Sequence, residues 1–265
     1  MKTYKKNILI TNDDGFDAIG LKHLVQALTP LANIIVVAPL LNKSASSHSM
    51  TLTKPLKFKS IADDWYALED GTPTDCVFLG LHNLYNEGKL PDLVISGINI
   101  GSNMGEDITY SGTVAGAMEA VLQNVPAISI SQVLDSNAKA QGDLWDYALA
   151  KKIIYDVVEK IFQDKFPLGK RKLLNINIPP CSISEYNGIK ITKAGYRVFG
   201  NDCHRYHDPK GNEFHWIGLH PLLWESDDKT CDFEAVKDNF VSITPVKLDM
   251  TSYEDIENLN TFIKS

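Results

Sequence analysis

The sequence has few cysteines, no long apolar run and no excess of positive charge, and each of these absences argues against a class of protein. Its cysteines are few and far apart and form no C-x-x-C pair, which favours reduced thiols in a cytoplasm over a disulfide framework or a zinc site. No stretch approaches the roughly 20 apolar residues that a membrane helix requires, so we expect no membrane partner. The net charge is −7, which argues against a broad basic surface for a nucleic-acid duplex.

The N-terminal region is basic but leads into only a short apolar run, Ile8-Leu9-Ile10. An export signal needs about 7–15 apolar residues at this point. We therefore interpret the run as a strand and expect a cytoplasmic protein.

The first forty residues predict a strand–helix–strand unit. Residues 7–11 are short and apolar and end in the turn signal of residues 12–15. Apolar residues at helical spacing follow over 21–28, and 33–38 is a second buried strand that stops at Pro39. A crossover of this kind implies a parallel sheet.

The same alternation continues along the chain. We predict further strands at 51–59, 93–96, 127–131, 173–178 and 240–245, and helices at 74–85, 113–123, 143–163 and 253–263. Residues 195–218 are rich in glycine, histidine and aromatic residues around a strong turn signal, which favours a protruding hairpin or an extended loop. The fold class is therefore α/β, with a doubly wound core over residues 1–180 and a C-terminal arm, closing strand and helix over 181–265.

Polar residues gather where three predicted strands end. Residues 12–15 follow the first strand, 42–48 follow the second, and 96–99 lead into 101–105 and 111–113. The carboxyl ends of parallel strands share one edge of the sheet, and ligands of doubly wound proteins bind there. We therefore expect these three clusters to converge on one site.

Asp13 and Asp14 predict a metal site at this edge. Adjacent carboxylates repel each other unless a cation neutralises them, and no lysine or arginine directly flanks the pair. Ser44 and Asn99 offer further oxygen ligands. A set of oxygen ligands favours Mg²⁺ or Mn²⁺ over zinc.

The run Ser111-Gly112-Thr113 precedes a helix, and its N–H and hydroxyl groups suit an anion. A metal beside an anion pocket is typical of phosphate-ester hydrolysis, because the cation polarises the phosphoryl oxygen and activates water. The sequence leaves open whether water or one of the aspartates attacks phosphorus. His48 lies near the edge and is a candidate accessory residue. Turn formation and helix capping are the ordinary alternative uses of the residues at this edge.

Three other functions lack their signatures. The first βα turn is acidic and has no G-x-G-x-x-G, and neither a P-loop nor a G-x-S-x-G elbow occurs anywhere. A nucleotide-sensing or interaction protein with an inactive pocket is the remaining alternative. It is distinguished by phosphate release from AMP with and without EDTA.

The motifs of this sequence resemble, in order, those of the stationary-phase survival protein (SurE) family. They are ILITNDDG at 8–15, SASSHS at 44–49, GTPTDC at 71–76, VISGIN at 94–99, NMG at 103–105, YSGTVAGAMEA at 110–120 and SITP at 242–245. Together they span nearly the whole chain. Ser102 departs from the family, which usually has proline there, and the region 195–218 matches only loosely.

The resemblance implies a metal-dependent 5'-nucleotidase that acts on nucleoside monophosphates and also on 3'-nucleotides and short polyphosphate. It implies one divalent cation per subunit, Mn²⁺ or Mg²⁺, with the ligands Asp13, Asp14, Ser44 and Asn99, of which the two aspartates are also catalytic. The phosphate pocket implied comprises Asn12, Asn103, Ser111, Gly112 and Thr113. The fold implied is Rossmann-like, with a C-terminal hairpin and helix that form a homodimer or homotetramer.

Overall fold

The computed structural model describes residues 5–85, 89–134, 146–200, 202–218, 222–225 and 227–265. In chain order the strands are β1 (Lys6–Thr11), β2 (Ala32–Pro39), β3 (Lys57–Ala62), β4 (Trp65–Glu69), β5 (Leu93–Ile100), β6 (Ala127–Gln132), β7 (Lys172–Ile178), β8 (Ile189–Ile191), β9 (Cys203–His207), β10 (Glu213–Ile217) and β11 (Val241–Lys247). The helices are α1 (Ile19–Leu28), α2 (Pro73–Asn83), α3 (Gly112–Leu122), α4 (Ala148–Gln163), α5 (Asp232–Lys237) and α6 (Ile256–Lys264).

Nine of these strands form one mixed sheet in the order β3-β4-β2-β1-β5-β6-β7-β11-β8, and β9 and β10 form a separate hairpin. The six neighbouring strands β4-β2-β1-β5-β6-β7 are all parallel. At the two ends of this group, β3 runs antiparallel to β4 and β11 runs antiparallel to β7, while β8 is parallel to β11. The predicted α/β class with a mostly parallel sheet is confirmed. β1 and β5 are neighbours at the centre, so the turns that follow them lie side by side.

Helices cover both faces of the sheet, so the strands β5, β6 and β7 are buried along most of their length. One core lies between the sheet and α1 with α4 and includes Leu24 and Ile153. The other lies between the sheet and α2 with α3 and includes Val77 and Val114. Among the described residues, no helix is both long and apolar enough to cross a membrane.

Two predicted elements begin at least five residues later than expected. The strand predicted at 51–59 begins only at Lys57, because the N–H and hydroxyl of Thr51 donate to the Asp75 carboxylate (2.9 and 2.7 Å) and hold this segment against α2. The helix predicted at 143–163 begins at Ala148, and residues 143–145 lie outside the described residues. The sequence pattern also missed β4, β8 and α5.

The hairpin predicted within 195–218 is confirmed as β9 and β10, which pair antiparallel. Residues 181–265 are not only an arm, since β8 and β11 belong to the large sheet. The boundary at residue 180 therefore stays a prediction. The hairpin and α6 expose large apolar side chains, among them Trp216 and Phe262.

Candidate active site

Asp13 is the most tightly held carboxylate at the carboxyl edge of the sheet. It follows β1, is buried, and accepts a hydrogen bond from the Thr113 hydroxyl and from the N–H groups of Gly112 and Thr113. Burial raises the pKa of Asp13 above its usual value, and these hydrogen bonds oppose the rise. The N-terminus of α3 is thus directed at Asp13, where the positive end of the helix dipole favours a negative charge.

Gly112 allows this close approach because it has no side chain. A Cβ atom at this position would lie 2.8 Å from the Cβ of Asp13 and 2.9 Å from its Oδ2. It would also lie 2.9 Å from the Oγ of Ser46. Any other residue would therefore push Asp13 away from the start of α3.

Asp14 points towards the end of β5. Its Oδ2 accepts a hydrogen bond from the N–H of Ile100 at 3.2 Å. Burial, and next the negative charge of Asp13, raise the pKa of Asp14 to about 6. Burial, and next the negative charge of Asp14, raise the pKa of the nearby Tyr147 to about 12. Asp14 is therefore a carboxylate whose charge is disfavoured in the metal-free chain.

Ser44 and Asn99 are brought to the same edge through their neighbours. The N–H of Lys43 donates to the main-chain oxygen of Asp13 at 2.7 Å, and the exposed Ser44 is the next residue in the chain. Asn99 precedes Ile100, whose N–H contacts Asp14. The side-chain amide of Asn99 donates to the main-chain oxygen of Gly101 at 2.9 Å and so fixes the side-chain orientation.

The chemistry of these groups fits a divalent cation with oxygen ligands. No ion pair joins Asp13 or Asp14 to a lysine or arginine in the described ranges, although the raised pKa of both carboxyls shows that a counter-charge would stabilise them. In the same ranges, no group of three or more histidine, cysteine, aspartate or glutamate residues is arranged so that it could hold a metal ion. Carboxylate, hydroxyl and amide oxygens are ligands that Mg²⁺ and Mn²⁺ accept.

The other residues predicted to bind phosphate differ in how many of their polar groups already have hydrogen-bond partners in the chain. The Oγ of Ser111 accepts the N–H of Val114 at 3.0 Å as a helix cap, which leaves its own O–H to donate. Asn12 closes its turn by donating to the Gly15 oxygen at 2.9 Å. Asn103 donates to the Ser131 hydroxyl at 2.8 Å inside the sheet. The geometry therefore places the two asparagine side chains in protein contacts.

His48 anchors the loop that contains Ser44. Its Nε2 lies 3.0 Å from the Oε2 of Glu119, a buried residue of α3 that also accepts from Gln123. Burial acts to raise the pKa of Glu119, but the hydrogen bonds from His48 and Gln123 hold it below its usual value. The hydroxyl of Ser47 donates to the Thr109 oxygen at 2.7 Å. His48 thus supports the site from outside it.

Sequence reasoning missed two asparagines that support the site. Asn175 and Asn177 lie on β7, and both side chains contact the main chain of Asn103. The signal was present in the run LLNINI, where a buried strand contains polar residues at alternate positions. A buried polar side chain needs a partner, so these positions could have been marked as network residues.

Asp232, at the start of α5, was also missed. Its carboxylate is buried and accepts the N–H groups of Gly105 and Gly195, each at 2.9 Å. It therefore ties the loop after β5 to the C-terminal part of the chain. The contact is distant in sequence, and nothing in the local pattern around Asp232 indicates it.

Comparison with known proteins gives a consistent result. The family model described as Survival protein SurE matches residues 8–201. The chain is 57% identical to "5'-nucleotidase SurE" of Aliarcobacter butzleri over 98% of this chain and 100% of the relative, and 53% identical to the protein of the same name from Helicobacter hepaticus over 98% and 99%. It superposes on the crystal structure of the Aquifex aeolicus SurE protein with a TM-score of 0.82, at 39% identity, over 98% of this chain and 100% of that one.

Proposed function

This chain belongs to the SurE family and is a 5'-nucleotidase, and we propose that it hydrolyses nucleoside monophosphates with one divalent cation held at the carboxyl edge of its sheet. The observation on which the proposal depends is the adjacent pair of carboxylates, the buried Asp13 and the partly buried Asp14, with no cationic side chain paired to either in the described residues. A cation of charge two offsets the burial that raises the pKa of both carboxyls, and the charge of Asp13 that further raises the pKa of Asp14.

The proposed metal ligands are Asp13, Asp14, Ser44 and Asn99. When bound, Mn²⁺ or Mg²⁺ supplies Lewis-acid polarisation of the phosphoryl oxygen and a lowered pKa for water. Thr113 and the start of α3 hold Asp13 in place, and the N–H of Ile100 holds Asp14. These contacts pre-orient both carboxylates, so little reorganisation is needed when the substrate binds.

We propose that the substrate phosphate lies beside Asp13 at the start of α3. The O–H of Ser111 is available to donate to a phosphate oxygen, because its lone pair accepts from Val114. The N–H groups of Gly112 and Thr113 are shared with Asp13, which limits how many of them the phosphate receives. Asn12 and Asn103, predicted in the same pocket, act in this proposal by shaping the loops, since their amides already have protein partners.

We further propose a homodimer or homotetramer that uses the hairpin and α6. This proposal is supported by the apolar side chains that both elements expose, such as Ile217 and Leu259. Contiguous exposed apolar patches commonly mark protein–protein contacts. A cytoplasmic location is part of the same proposal and agrees with the four free cysteine thiols.

The test is phosphate release from AMP by the purified protein, with EDTA and after addition of Mn²⁺ or Mg²⁺. We expect no release in EDTA and recovery with either metal. Parallel reactions with 3'-AMP and tripolyphosphate define how far the substrate range extends. Equal release in EDTA would refute the metal, and no release from AMP under any metal would favour an inactive nucleotide-sensing pocket instead.

A further inference from the structure

Five buried polar side chains form a hydrogen-bonded network that joins the loop 101–105 to the strands β6 and β7. This loop follows β5. The five side chains come from three parts of the chain and are Asn103, Ser129, Ser131, Asn175 and Asn177. Each has a hydrogen-bond partner in the network. A fully satisfied buried network holds one conformation, because breaking any bond leaves an unpaired polar group out of contact with water.

The side-chain amide of Asn177 makes two hydrogen bonds to the main chain of Asn103, as a neighbouring strand would. Its Oδ1 accepts the N–H of Asn103 at 2.9 Å, and its Nδ2 donates to the main-chain oxygen of Asn103 at 3.0 Å. The Nδ2 of Asn175 donates to the same oxygen at 2.7 Å. Both main-chain polar groups of Asn103 are therefore held by side chains of β7.

The loop fixed in this way also contacts a proposed metal ligand. The main-chain oxygen of Gly101 accepts the amide of Asn99 at 2.9 Å, while the N–H of Gly101 donates to the Gln132 oxygen at 2.9 Å. Since the amide nitrogen of Asn99 is engaged by the loop, its oxygen is the atom left to meet a cation. The position of the loop therefore decides where this oxygen points.

We propose that Asn177 is a positioning residue for the metal ligand Asn99, acting through Asn103 and the loop 101–105. The proposal rests on the metal site proposed above. Partners of metal ligands commonly change metal affinity 10- to 100-fold when they are removed. Asn177 acts at one further remove, so the lower end of this range applies.

The experiment is direct titration of Mn²⁺ into the full chain, followed by electron paramagnetic resonance of free Mn²⁺, with no substrate present. Asn177→Ala is expected to weaken Mn²⁺ binding about 10-fold. Asn175→Ser, which keeps both bonds of Asn177, is the milder second variant and should weaken binding about two- to threefold. It keeps the test available if Asn177→Ala does not fold.

Thr244→Val is the matched control. Thr244 is buried on β11 opposite Asn175, but its hydroxyl contacts only Thr192 and Ser242 among the described residues. It should lower the unfolding temperature and leave Mn²⁺ affinity unchanged, with circular dichroism confirming that every variant is folded at the temperature of the titration.

Unchanged Mn²⁺ affinity in folded Asn177→Ala and Asn175→Ser would overturn this inference, as would an equal loss of affinity in Thr244→Val. Failure of the wild-type chain to bind Mn²⁺ would instead overturn the proposed metal site. The two failures are therefore distinguishable.

Discussion

The carboxyl edge of the sheet and the C-terminal arm differ in how their side chains are partnered. At the edge, buried polar groups such as Asp13 and Asn177 have hydrogen-bond partners within the same chain. In the hairpin and α6, by contrast, Trp216 is 70% exposed and Phe262 73% exposed. The difference teaches that these polar groups are partnered within one chain, whereas the arm exposes apolar surface that a second copy would cover in the assembly we propose.

The strongest test of this comparison is Asp14→Asn, which removes a charge from the edge. We expect phosphate release from AMP to fall about 1,000-fold, because loss of a charged metal ligand removes several kcal/mol of transition-state stabilisation. Asp17→Asn is the matched control, since Asp17 lies in the same loop but is exposed and paired with Lys22. Turnover of the folded Asp14→Asn variant near that of wild type would contradict the metal role.

Thr113→Val is expected to have the next largest effect. It keeps the shape of the side chain but removes the hydroxyl that donates to Asp13. We expect kcat/KM for AMP to fall about 10- to 100-fold, because Asp13 loses a contact that orients it. Thr109→Val, whose hydroxyl contacts only the Glu106 oxygen among the described residues, should leave kcat/KM nearly unchanged. Equal kcat/KM in both variants would show that the hydroxyl of Thr113 does not orient the site.

In the absence of metal, lowering the pH should increase the free energy of unfolding, because it protonates Asp14. Burial and then Asp13 raise the pKa of Asp14 from 3.8 to about 6. A carboxyl with a raised folded-state pKa binds its proton more tightly in the folded state, so its favourable contribution is complete below pH 3.8 and is lost as the pH rises through about 6.

The measurement is urea unfolding of wild type and Asp14→Asn in EDTA at several pH values. At pH near 7.5 the variant should be about 1–2 kcal/mol more stable, after allowance for solvent screening of a partly exposed group. The difference should shrink as the pH falls below about 6. A difference that does not depend on pH would contradict the raised pKa of Asp14.

The smallest effect on chemistry is expected from a change in the arm. Phe262→Asp places a charge on the apolar face of α6, and we expect light scattering to show a smaller assembly. The kcat/KM for AMP should change less than about threefold, since no residue of α6 is buried in the described chain. Lys264→Asp is the control for charge on the same helix. An unchanged assembly in Phe262→Asp would exclude α6 from the interface.

The fold was predictable where a local pattern was strong. The buried run of β1 and the helical spacing of α1 gave the central unit, and the turn around Asp208 gave the hairpin. The short strands β4 and β8 were missed because few residues define them. Residues 51–56 were misassigned because a contact distant in sequence, between Thr51 and Asp75, overrides their strand pattern.

For the candidate site, the sequence predicted which turns converge but not the side-chain contacts that they make. The shared edge follows from parallel topology, which places Asp13, Asp14 and Thr113 together. The use of the start of α3 to hold Asp13 was not predictable, because a free anion and a protein carboxylate suit those N–H groups equally. The roles of Asn177 and Asp232 depend on long-range contacts, which the pattern of one strand or one helix does not contain.

The hydrogen bonds from Gly112 and Thr113 to Asp13 have a consequence for spectroscopy. Because both amide protons point at a carboxylate that we propose as a metal ligand, their chemical shifts and exchange rates should respond to a cation before any substrate is added. Titration with diamagnetic Mg²⁺, followed in ¹⁵N-labelled protein, would therefore give a signal for occupancy at two known positions. The start of α3 would then act as a built-in reporter of the site.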